Sequence, residues 1–156
     1  MKIIFSILIF LFSSSISYSK NMDIIHDFKI TFDCKLEKIM IKNKDFNYQT
    51  FTADNIEVDK KKVLKVVAAQ PSVLTINGLS EFIDTYSDIS KDDVRIAKND
   101  TILFKNIDKE KKYSESVFLN RSTGELIHEV TKNMNTKDNE KYISFFGCNK
   151  KWKSNN

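Results

Sequence analysis

Few side chains in this sequence are suited to chemistry. Two cysteines (Cys34, Cys148) and two histidines (His26, His128) stand far apart in a chain of 156 residues. Zinc hydrolases hold their metal with histidines at close spacing, as in HExxH, and no such pair occurs. His26 lies among Asp23 and Asp27, where at most a weak divalent-ion contact could form. Ser122 and Thr123 precede His128 by a few residues, which places hydroxyls near a base. A nucleophile elbow needs flanking glycines, and no acid can be located to orient the imidazole. The acidic run Asp84, Asp88, Asp92 and Asp93 resembles a calcium loop. With Asp88, Ser90 and Asp92 as its first, third and fifth positions, Asp93 falls where glycine is required, and Asn99 replaces the closing glutamate. The expectation is therefore no catalytic residue, no metal and no cofactor. Neither cysteine belongs to a CxxC pair or has a histidine nearby, so the chemistry expected of them is one structural disulfide, Cys34–Cys148.

Residues suited to binding sit in two places. Arg121, Ser122, Thr123 and Gly124 form a short polar loop between two strand-like segments, with Gly124 placed to take the left-handed conformation that closes such a loop. Near the end of the chain, Trp152 stands among Lys150, Lys151 and Lys153, a basic cluster with one aromatic. Asn99-Asp100-Thr101 and Asn120-Arg121-Ser122 satisfy the glycosylation pattern, which matters only in a eukaryotic source.

Three glycines and one proline are present. No phosphate-cradling loop or dinucleotide fingerprint can be written from Gly78, Gly124 and Gly147. The formal net charge of +4 is a mild surplus among many charges of both signs, and it predicts no nucleic-acid partner. Met1-Lys2, the apolar run Ile3–Phe12 and the serine-rich stretch up to Ser19 have the order of a secretory signal peptide cleaved before Lys20. Residues 1–19 are thus expected to be a leader and the only membrane-contacting segment. Residues 20–156 are expected to be a single exported domain, periplasmic or extracellular.

The elements that must position these residues read as mainly β. From Asp27 to Glu37 apolar and polar residues alternate strictly, and the apolar parity then slips to Ile39 and Ile41, which predicts a bulge near Glu37-Lys38. Further strands are expected over 55–59, 63–69, 73–76, 94–97, 101–107, 115–120, 125–131 and 141–150. Asn77-Gly78 has the composition of a tight turn. Leu79, Phe82, Ile83 and Tyr86 have helical spacing, so one short helix is expected near 80–87. The spacing predicts a small antiparallel barrel or sandwich, with Cys34–Cys148 tying the first strand to the last across its open seam.

Two resemblances follow from these residues. Phe118–Leu126 (FLNRSTGEL), followed by an aromatic strand and a terminal cysteine, resembles uncharacterised small exported bacterial proteins with the pattern LNRxTGxL and a final Cys. An early-strand cysteine joined to a last-strand cysteine is similar to the membrane-bound-lysozyme-inhibitor family. That family blocks its target with a Ser-Gly loop followed by Lys and Tyr. The comparable loop here is Ser122-Thr123-Gly124-Glu125, without that order or ending. The functional expectation is a non-enzymatic binding module acting through Arg121–Glu125. The alternatives are a lipocalin-type carrier of a small apolar ligand, or an enzyme using carboxylates.

Overall fold

The computed structural model describes residues 28–69, 73–84, 94–98 and 100–151. The leader, His26, Pro71, Asp88, Asp92, Asp93 and Trp152 lie outside them.

The alternating stretch forms the first half of β1 (Phe28–Lys42), with Phe32, Cys34 and Leu36 buried. The expected bulge is present between Leu36 and Lys38. Leu36 faces Phe146 before it, and Ile39 and Ile41 face Ser144 and Tyr142 after it, so one extra residue restores the inward face. The other strands are β2 (Gln49–Thr52), β3 (Lys61–Ala69), β4 (Val73–Asn77), β5 (Val94–Lys98), β6 (Thr101–Asp108), β7 (Tyr113–Asn120), β8 (Glu125–Lys132) and β9 (Glu140–Lys151).

All nine form one antiparallel sheet in the order β4-β3-β1-β9-β8-β7-β6-β5, with β2 pairing the second half of β1. The sheet curls into a half-barrel, and its edges β4 and β5 approach each other without pairing. Cys34 and Cys148 are joined, directly opposite one another on β1 and β9. These strands are neighbours in the middle of the sheet, so the bond does not guard an open seam as expected. Its place there follows from the long β1–β9 ladder, which runs from Thr31↔Lys151 to Lys42↔Lys141.

Two local expectations also change. Residues 55–59 are not a strand: Ala53–Asn55 makes a 3-10 turn, Ile56 packs against the core, and Val58 is exposed. Asn77-Gly78 ends β4 without turning a hairpin. Gly78 has φ +92°, and a Cβ there would lie 2.1 Å from the carbonyl oxygen of Val63. The chain continues into α1 (Glu81–Asp84), a single helical turn within the expected 80–87 segment. Leu79 and Ile83 from this segment are buried in the core with Phe32, Leu64, Ile76 and Phe104, so the concave face is filled by the chain's own side chains.

Candidate functional site

Two constellations stand at opposite ends of the β7–β8 hairpin. At the loop end, Asn120 organises the turn: its Oδ1 accepts the N–H groups of Ser122 (2.9 Å) and Thr123 (3.1 Å). Its carbonyl accepts the N–H of Gly124 at 2.9 Å. The loop is also bound on both flanks, because the Arg121 N–H donates to the Asp100 carbonyl (2.6 Å) and the Cys148 N–H to the Gly124 carbonyl (2.8 Å). Gly124 has φ +76°, and a Cβ there would sit 2.0 Å from the Cys148 carbonyl oxygen, so glycine is required on both counts. The result is a rigid ridge, Arg121–Gly124, fixed against β9 beside the disulfide.

A cleft lies on each side of the ridge. The larger, about 540 Å³, has Lys35, Glu37, Thr52 and Asp54 in its walls. The smaller, about 310 Å³, has Arg121, Ser122 and Lys150. Thr123, Cys148 and Asn149 line both. The Arg121 guanidinium stacks on Phe28 at 4.1 Å from the ring centre, and its Nη2 donates to the Lys98 carbonyl at 3.2 Å. Its Nε is buried without a partner. Burial draws the Arg121 pKa below the usual guanidinium range, and the nearby Asp100 charge opposes this.

At the other end, Glu115 projects from β7 onto the concave face and is 2% exposed. Its Oε2 accepts from Ser80 Oγ (2.6 Å) and from His128 Nε2 (2.9 Å), and its Oε1 accepts from the Tyr113 hydroxyl. Burial alone would push the Glu115 pKa up, but the hydrogen bonds from His128, Ser80 and Tyr113 outweigh it and hold the carboxyl below its ordinary value. An ionised carboxylate can only accept, so Nε2 of His128 carries its proton. Tyr113 is shifted well upward by burial and by the adjacent carboxylate. Asn106, directly across from Glu115, donates from Nδ2 to the Phe82 carbonyl (3.3 Å) and leaves its buried Oδ1 unpaired. Phe82 meets Tyr113 edge-on. Serine, carboxylate and histidine are present, but the carboxylate stands in the middle and takes both donors. A saturated, ionised acceptor is poorly suited to act as a general base, whereas it ties the 79–84 segment across the concave face.

The structure therefore gathers Arg121, Ser122, Thr123 and Gly124 with Cys148 at one end of the β7–β8 hairpin, and it separates the Ser122/Thr123 loop from His128, whose partner is Glu115. Glu115, Ser80 and Tyr113 were not singled out from the sequence. A signal was present: Glu115 shares the parity of Val117 and Leu119, and His128 that of Leu126, so both are polar residues on an inward face. Among the described residues no group of three or more His, Cys, Asp or Glu side chains is arranged to hold a metal ion. No family model, curated protein or solved structure matches the chain.

Proposed function

We propose that this chain is a non-enzymatic binding module that engages its partner through the Arg121–Gly124 ridge and the two clefts beside it. The observation that carries this reading is the ridge itself: a polar loop with its backbone bonded to its own strand, to Asp100 and to Cys148, between clefts of about 540 and 310 Å³. A loop held in this way loses little conformational entropy on binding. The filled concave face favours a site at the hairpin ridge over an interior ligand of the lipocalin kind. The disulfide fits an exported chain, because such a bond persists in oxidising compartments.

Site-specific photo-crosslinking tests the reading. A photoreactive residue at Thr123 is expected to capture a discrete partner from the medium or compartment the protein occupies, and one at Ser116, on the convex face of β7, is not. Crosslinks from Ser116 with none from Thr123 would move the binding face away from the ridge.

A further inference from the structure

We propose that the smaller cleft, beside Arg121, is an oxyanion site: it receives the phosphate, sulfate or carboxylate group of the ligand, held between Arg121 and Lys150. This rests on the ridge being the partner-facing site, and it assigns the chemistry of one of its two sides.

The two clefts share Thr123, Cys148 and Asn149 but differ in charge. The larger carries Glu37 and Asp54 against Lys35, a mixed wall. The smaller carries Arg121 and Lys150 and, among the described residues, no carboxylate. Its remaining polar side chains, Ser122, Thr123 and Asn149, can each donate a hydrogen bond. The cations are also under-neutralised. Among the described residues neither Arg121 nor Lys150 lies within ion-pair distance of a carboxylate. Neighbouring Lys151 differs in this respect, since its Nζ holds Asp33 at 2.9 Å. Asp100 acts on the Arg121 guanidinium through its charge without forming an ion pair.

Arg121 is prepared for such a role. Among the described residues, one of its five N–H donors has a protein acceptor, the Lys98 carbonyl. One face of the guanidinium is covered by Phe28, which fixes its plane. A fixed, partly desolvated guanidinium with spare donors matches the planar or tetrahedral array of acceptors on an oxyanion. The cleft, at about 310 Å³, has room for about ten water molecules. A lone oxyanion fills only part of it, so the charged group is expected to be the end of a larger ligand.

The test is an NMR chemical-shift titration of the full, oxidised chain at low ionic strength with inorganic phosphate, sulfate and acetate in parallel. The expected result is saturable movement of the Ser122, Thr123, Gly124 and Lys150 amides, weakening as salt is added. Arg121→Gln should weaken binding about tenfold or more, and Lys150→Gln several-fold. Lys105→Gln, exposed on β6 and lining neither cleft, should leave it within about twofold. Lys150 is exposed, so its variant reports on the site even if Arg121→Gln disturbs folding. Preference for phosphate and sulfate over acetate would assign a tetrahedral group, and the reverse a carboxylate. No saturable shift with any of the three anions would overturn the proposal, as would wild-type affinity in both Arg121→Gln and Lys150→Gln. Either failure leaves the Thr123 crosslinking result untouched, so the oxyanion site and the ridge can fall separately.

Discussion

Glu115 gathers three side-chain donors on one buried carboxylate. Three side chains from β7, β8 and the segment before α1 donate to it in a nearly solvent-free position. Glu115→Gln keeps the shape, removes the charge and leaves at least one buried donor facing an amide N–H₂. The expected loss is about 2–4 kcal/mol in urea unfolding. The pH dependence has a definite sign. The folded carboxyl titrates below the ordinary 4.5, so in the window beneath that value the unfolded chain binds a proton that the folded chain does not. The stabilisation from Glu115 is thus complete well above 4.5 and drains away as pH falls through that value toward the folded pKa. Melting temperature measured from about pH 7 down to about pH 3 should decline for the wild type, with a visibly shallower decline in Glu115→Gln. Equal slopes would mean that the shift at Glu115 is not what links stability to acid. The inward parity of Glu115 and His128 was legible in the sequence. Their meeting was not, because Val117, not Glu115, is directly opposite His128, and that diagonal is set by a cross-strand register that neither strand encodes alone.

At the scale of elements, local patterning is what the sequence expresses best. The alternation in β1 and its parity slip are properties of one continuous stretch, and both strand and bulge appear where they were expected. Deleting Glu37 should remove the bulge and leave Leu36 and Ile39 two positions apart on the same inward face, so a change of no more than about 1 kcal/mol is expected in denaturant midpoint experiments. A loss of several kcal/mol would show that the bulge does more than absorb the extra residue. Where the pattern is shorter, reading fails for physical reasons. Gln49–Thr52 (QTFT) has a single apolar residue, and only its pairing with β1 makes it a strand. Ile56 and Val58 alternate as a strand would, yet one packs on the core and the other is exposed within a loop. The ridge was legible as a loop closed by Gly124. Its attachment to Asp100 and Cys148 depends on strands far away in sequence and could not be read.

For the whole molecule, the cysteine pair was legible and the topology around it was not. The count of two cysteines and the expected compartment pointed to Cys34–Cys148, but the edges of the sheet are β4 and β5, which nothing in composition marks as such. The bond spans 114 residues, so replacing both cysteines with alanine should lower stability by up to about 4–5 kcal/mol through the freed unfolded chain. The β1–β9 ladder should survive in the folded variant, and circular dichroism of the native state should be unchanged. Loss of the β signal at zero denaturant would show that the ladder depends on the bond. The order of the strands has a further consequence, in time. β9 pairs with β1 on one side and β8 on the other, so it joins a β1–β4 group to a β5–β8 meander. Each group can form from near neighbours, but the joint between them waits for the last strand and then recruits the first, a contact of very high sequence separation. A nascent chain carrying β1 through β8 has no continuous sheet, however long it waits. It remains two unlinked halves, open to transport or to aggregation, until β9 emerges to join them.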